Sequence, residues 1–225
     1  MNYEELANNR VFLSGEVLTP PAFSHEVFGE GFYEFMLSVL RLSNQCDVLP
    51  VTVSERLLGE ARITIGKRIS VSGQFRSYNK LYENHSKLML TVFARTIEEY
   101  DEELNPNTIE LDGYICKKPM YRTTPFKREI CDILLAVNRA YNKSDYIPCI
   151  AWGRNARFVN TLEVGQHIAL SGRIQSREYL KQLGDGRQET RTAYEVSVSR
   201  LTTDGDEAKD EREWYHYLAV NSQVN

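Results

Sequence analysis

The sequence predicts an all-β protein in which one small barrel is built twice in tandem. Three observations carry this: a pattern that returns after about 98 residues, period-two alternation within each copy, and glycines set inside the alternating runs. The segment Val11-Phe-Leu-Ser-Gly15 returns as Ile109-Glu-Leu-Asp-Gly113, and Phe35-Met-Leu-Ser-Val39-Leu-Arg41 as Ile133-Leu-Leu-Ala-Val137-Asn-Arg139. Asp47-Val-Leu-Pro50 returns as Asp145-Tyr-Ile-Pro148. Gly66-Lys-Arg-Ile-Ser-Val-Ser-Gly73 returns as Gly165-Gln-His-Ile-Ala-Leu-Ser-Gly172, one residue further on. A unit of this length is too long for a solenoid repeat and suits a small domain.

Within each copy the elements follow in order. Arg10–Val17 reads as a first strand, and Phe32–Leu40, rich in aromatic and aliphatic residues, as a longer second one. In copy two, Tyr146–Trp152 alternates, which puts Tyr146, Pro148, Ile150 and Trp152 on one face and Cys149 and Ala151 on the other. Short helices are expected at Ser54–Arg62 and Asn155–Leu162, the latter offering Ala156, Phe158, Val159 and Leu162 to plug a barrel end. The runs Ile69–Phe75 and His167–Ile174 alternate again. Gly73 and Gly172 inside them mark the bulge or bend that a strongly curved barrel needs. Leu88–Phe93 and Tyr194–Val198 close the copies. Five strands with one short helix after the third describe an OB-fold, so the expectation is two tandem OB-folds, each a five-stranded Greek-key barrel. Asn105-Pro106-Asn107 supplies turn signals. The expected divisions are 1–104, 105–202 and an acidic linker and tail at 203–225.

Charge separates the two copies. Residues 1–104 carry 10 Lys and Arg against 15 Asp and Glu, residues 105–202 carry 15 against 10, and residues 203–225 carry 2 against 6. The net charge of −4 therefore conceals a basic second copy, suited to a polyanion. The N-terminus is polar, no run approaches the roughly 18 apolar residues of a bilayer span, and a cytoplasmic, nucleoid-associated protein is expected. Cys46, Cys116, Cys131 and Cys149 lack CxxC spacing and are expected to be reduced rather than bridged or bound to zinc.

A sequence-tolerant single-strand binder needs aromatic faces for bases and cations for the backbone on one surface. Copy two offers Tyr141, Tyr146, Trp152 and Tyr179 as stacking residues. Arg139, Lys143, Arg154, Arg157, Arg173, Arg177, Lys181 and Arg191 are the candidate phosphate contacts. Tyr146 and Trp152, each taken alone, read more readily as core aromatics of a strand; it is the set of four aromatics interleaved with arginines that favours the stacking reading. Pro148 points to an edge or open face. At the repeat offsets, copy one has Ser43, Val48, Ser54 and Lys80 where copy two has its four aromatics, and keeps Tyr78 and Tyr82 near its own hairpin. That hairpin is about five residues shorter than Tyr179–Tyr194, whose turn Gly184-Asp-Gly186 presents a basic arm with Lys181, Arg187 and Arg191. No P-loop or dinucleotide fingerprint is present, and the four histidines lack ligand spacing. His167 reads as structural. No catalytic residue, cofactor or metal site is expected.

Over these residues, copy two resembles the bacterial single-stranded DNA-binding protein family. The likeness runs from Ile109-Glu-Leu-Asp-Gly113 through Leu135–Arg139, Tyr146–Ala156 and Gly165–Tyr179 to Tyr194–Val198. In that family the stacking residues are mostly tryptophans and a phenylalanine. Tyr141, Tyr146 and Tyr179 fall on tryptophan positions and Trp152 on the phenylalanine. Residues 9–97 match through the strand skeleton alone. The resemblance implies single-stranded DNA binding in replication, repair or recombination, with RNA answering the same stacking description. It also implies a homodimer that gathers four barrels, and contact with replication or repair proteins. The end Val220-Asn-Ser-Gln-Val-Asn225 departs from the family's acidic tip, which puts that recruitment in doubt. The alternative is a protein-interaction or replication-restart-like accessory module of a plasmid, phage or conjugation replication apparatus.

Overall fold

The computed structural model describes residues 8–41, 43–82, 85–100, 105–182, 184 and 186–203. The first copy forms β1 (Asn9–Val17), β2 (Ala22–Val27), β3 (Glu30–Leu40), β4 (Cys46–Ser54), α1 (Glu55–Ala61), β5 (Arg68–Tyr82) and β6 (His85–Glu99). The second forms β7 (Asn107–Ile115), β8 (Met120–Thr123), β9 (Glu129–Arg139), β10 (Lys143–Trp152), α2 (Gly153–Val159), β11 (His167–Gln182) and β12 (Gln188–Thr203). Each copy thus adds one strand to the five expected. The additions, β2 and β8, are the outer arms of hairpins with β3 and β9 and are exposed at every residue. A strand that buries neither face leaves no alternation to read.

Each barrel closes as the OB-fold requires. In the first, β1 pairs with β3 and β5, β3 with β4, β5 with β6, and a short parallel contact at Val51↔Val92 joins β4 to β6. The second repeats this, with its parallel contact at Cys149↔Val196. The expected bulges fall at Ser72/Gly73 and Ser171/Gly172. A Cβ on Gly73 would lie 2.2 Å from the Phe93 carbonyl oxygen, and one on Gly172 2.1 Å from that of Ser197, so only glycine permits the bend.

Apolar residues from alternate strand positions fill both interiors, with Phe35, Leu37, Val51 and Phe75 in one and Leu135, Ile147, Ile168 and Ile174 in the other. Ser54 caps α1, its Oγ accepting from Leu57 N–H at 3.3 Å. Ala156, Val159 and Leu162 are buried at the end of the second barrel, but Phe158 is 42% exposed. At 100° per residue, Phe158 stands about 200° around the helix from Ala156, outside the buried stripe.

The two barrels are joined as one continuous 12-stranded sheet, because β1 pairs antiparallel with β7 from Asn9↔Leu111 to Leu13↔Asn107. Reciprocal polar clamps flank that seam. Asp47 of the first barrel accepts from Ser176 N–H at 2.7 Å, and Asp145 of the second accepts from Ser77 N–H at 2.7 Å. Each serine Oγ accepts in return, Ser176 from Val48 N–H (3.1 Å) and Ser77 from Tyr146 N–H (2.7 Å). Both aspartates are fully buried. Residues 101–104, part of the expected boundary, and the tail from 204 onward, including Trp214–Val220, lie outside the described residues.

Candidate nucleic-acid interface

The alternation expected for β10 holds. Ile147, Cys149 and Ala151 point into the barrel and are buried, while Tyr146 and Trp152 are 46% and 36% exposed on the outer face. Ile150 shares that outer face by alternation yet is only 5% exposed, beside its parallel partner Ser197 of β12. Pro148 is paired on one side by Leu134 of β9. The parallel contact with β12 covers only Cys149 and Ile150, so the ring stands where its missing N–H breaks no ladder.

Register carries the face across the sheet. Ile150 lies beside Ser197, and Ser197 opposite Arg173; two and four residues along β11 from Gln175 come Arg177 and Tyr179. Trp152 Nε1–H donates to Ser197 Oγ at 3.2 Å, which fixes the indole over β12. The Arg177 guanidinium lies 5.8 Å from the Tyr179 ring centre and its Nε is 3.8 Å from Glu195. Tyr179 is 38% exposed. Tyr146, Trp152 and Tyr179 are therefore half-exposed rings with fixed backbones on one outer surface.

Tyr141 stands apart from them. It occupies the β9–β10 turn at φ 61° with its ring 93% exposed, beside a cleft of about 520 Å³ between the barrels. That cleft is also lined by Arg139, Lys143 and Asp145, and by Gln74 and Arg76 of the first barrel.

The eight candidate cations divide by environment. Lys143, Arg154, Arg177 and Lys181 are exposed. Arg157 pairs with Glu129 at 3.0 Å on the surface, and Arg191, whose side chain is mostly covered, pairs with Glu189 at 2.7 Å. Arg139 and Arg173 serve the seam instead. Arg139 Nε is 3.5 Å from Asp145 Oδ2, and Arg173 Nη1 is 3.2 Å from Asp47 Oδ2. Arg41 is the counterpart of Arg139 and also grips Asp47, its Nε donating at 2.6 Å. This bond raises the Arg41 pKa, whereas burial and the neighbouring Arg41 charge lower that of Arg173. A cation that neutralises a fully buried carboxylate is poorly placed to leave it for a phosphate.

Several further residues lie off this face. His167 Nε2 contacts Asp112 Oδ1 at 2.8 Å with its ring 5.1 Å from Tyr114, consistent with a structural role. Ser54, the counterpart of Trp152, is occupied in capping α1. The β11–β12 hairpin forms, with Gln182 opposite Gln188.

A family model described as the single-strand binding protein family matches residues 106–204, the whole second barrel. Single-stranded DNA-binding protein 2 of Streptococcus pyogenes serotype M18 is 30% identical over 109 residues, covering 44% of this chain and 67% of that protein. The chain belongs to the single-strand binding protein family. Single-stranded DNA-binding protein 1 of Staphylococcus aureus is 38% identical over 85 residues, 35% of this chain and 51% of that protein. The chain spans about half the length of that relative. The structure of wild-type single-stranded DNA binding protein from Thermus aquaticus is similar across both barrels. It has a TM-score of 0.68 at 20% identity, covering 90% of this chain and 95% of that one, which supports the tandem OB-fold.

One aromatic position escapes the repeat comparison. Val92 faces Phe75 in the first barrel as Val196 faces Ile174 in the second, so the last strands correspond at an offset of 104. The longer second hairpin causes that slip. At this offset Ser197, the partner of Trp152, corresponds to Phe93.

Proposed function

We propose that this protein binds single-stranded DNA without enzymatic chemistry and with little sequence preference, chiefly through its second barrel. The observation that carries the reading is the outward row of Tyr146, Trp152 and Tyr179 on the barrel that matches the family. Rings held half-exposed on rigid strands offer π-faces to any base, each worth about 1–3 kcal/mol. Lys143, Arg154, Arg177 and Lys181 supply phosphate contacts. Arg157 joins them by exchanging a surface carboxylate for a phosphate, a small cost for an exposed pair, and Arg191, mostly covered, reaches a phosphate only by leaving Glu189. Arg139 and Arg173 act indirectly, by holding the barrels in register.

The proposed division is a first barrel over 1–104, a second over 105–202 and a tail from 203. A homodimer would gather four barrels around one strand, and replication or repair proteins are the proposed partners. Among the described residues no helix is long and apolar enough to cross a membrane, and no cluster of His, Cys, Asp and Glu could hold a metal.

Titration of the full chain with labelled oligo-dT across salt tests the reading. With four to six phosphates neutralised, log K is expected to fall against log salt with a slope of about −3 to −4. Replacing Trp152 and Tyr179 together by alanine is expected to cost about 2–6 kcal/mol of binding. Binding without salt dependence, or untouched by the double substitution, contradicts the reading. An oligo-U series run in parallel measures the preference between DNA and RNA.

A further inference from the structure

The first barrel lacks the four aromatics of the second at the matching positions, yet its outer face is not bare. On β6 the outward positions are Thr91, Phe93 and Arg95, where β12 has Glu195, Ser197 and Ser199. At these three positions the first barrel is thus the more aromatic and the more basic of the two. Trp152 covers Ser197 in the second barrel; in the first, a ring grows directly from the equivalent position as Phe93, and Ser54 is left to cap α1. An aromatic ring thus serves the corresponding position on each barrel, from β10 in the second and from β6 in the first.

The surroundings of Phe93 suit a strand with charged phosphates. Its ring centre lies 5.4 Å from the Arg76 guanidinium carbon and 5.3 Å from that of Arg95. Gln74, opposite Phe93 in β5, accepts from both arginines with its Oε1: from Arg76 Nε at 3.1 Å and from Arg95 Nη2 at 3.4 Å. Phe32, itself buried, lies 5.6 Å from Phe93, and the exposed His25 stacks on Phe32 at 5.1 Å, which links Phe93 to the β2–β3 hairpin. The floor beside them is neutral: Thr52 and Thr91 share a hydrogen bond of 2.8 Å, where the second barrel has Glu195. Glu34, opposite Thr52, is an acid on this face. It lies near enough to Tyr194 to raise, after burial, the pKa of that phenol. Arg76 and Gln74 also line the cleft that holds Tyr141 and Lys143, so the polar partners of Phe93 reach the β9–β10 turn of the second barrel.

We propose that the first barrel carries its own stacking site for single-stranded nucleic acid, built on Phe93 between Arg76 and Arg95 and continuous through the Tyr141 cleft with the face of the second barrel. This rests on the function proposed above and makes the first barrel a contributor to it. A base inserts against Phe93 as the two guanidinium groups swing onto the flanking phosphates, keeping their charge on the ligand.

The test uses the full chain, an oligo-dT length series, and three variants: Phe93→Leu, Arg95→Glu, and the Trp152→Ala plus Tyr179→Ala pair. Phe93→Leu keeps an apolar side chain and removes the π-face; Arg95→Glu changes an exposed residue and leaves the packing intact. Both are expected to weaken binding of oligonucleotides long enough to span the two barrels by about tenfold. Both should also shorten the occluded length, with little effect on the shortest oligonucleotides. Unchanged affinity and occluded length in both variants, as a face for a protein segment would give, overturns the proposal. If the double substitution then still abolishes binding, the function stands and only the Phe93 site falls; if the unsubstituted chain binds no oligonucleotide, both fall.

Discussion

Cys131 and Cys149 lie on alternate inward positions of β9 and β10 and have no access to solvent, whereas Cys46 is exposed at the start of β4. Burial pushes the Cys131 thiol up to about 11, aided by Asp132, and raises Cys149 as well, so neither is a thiolate at neutral pH. Labelling the native chain with a thiol reagent at pH 7.5 should modify Cys46 first and Cys116 slowly, with Cys131 and Cys149 reacting only in denaturant. Rapid labelling of all four in the native state would contradict the barrel packing. At this scale the sequence was a fair guide to side-chain direction, since period-two alternation sent Tyr146 outward and Cys149 inward. It could not say what an arginine would touch. Arg139 and Arg173 look in sequence like any other basic residue of the second copy. Their carboxylates, Asp145 and Asp47, reach them only through turn geometry and, for Arg173, through the other barrel.

Among the elements, β10 does two jobs, packing its barrel with one face and presenting rings with the other. Its entry is held from outside, since Ser77 of β5 accepts from Tyr146 N–H and donates its own N–H to Asp145. Ser77→Ala deletes the first bond and leaves the Tyr146 N–H half-buried without that acceptor. A cost of about 1–3 kcal/mol is expected, read as a lower urea midpoint, together with weaker oligo-dT binding through a less ordered Tyr146. Unchanged stability and affinity would show that the clamp does not position the ring. Strands with one buried face were legible because burial writes an alternation into the sequence. The β2 and β8 arms were not, because hairpin pairing alone holds them. Phe93 was missed for a related reason: extra residues in the β11–β12 hairpin slide the last strands to a third offset, and only the ladder register recovers it.

At the scale of the molecule, one sheet runs through both barrels and two buried aspartates lock its sides, which makes the tandem chain behave as a single body. The repeat predicted two barrels; it contained no sign of how they face each other, which depends on β1 meeting β7 and on contacts 126 to 129 residues apart in the chain. Asp47→Ala strands Arg41 and Arg173 at the seam and should destabilise the whole protein by about 3–5 kcal/mol, in one cooperative transition. Separate transitions for two barrels would instead show them to be independent. The central claim is that bases stack on the outer face of β10, and tryptophan fluorescence tests it most directly. With Trp214→Phe, Trp152 is the sole remaining tryptophan of the two in the chain. Oligo-dT is expected to quench Trp152 saturably, with salt reversing the quenching in step with dissociation. Binding detected by anisotropy of a labelled oligonucleotide with no change in Trp152 emission would contradict it.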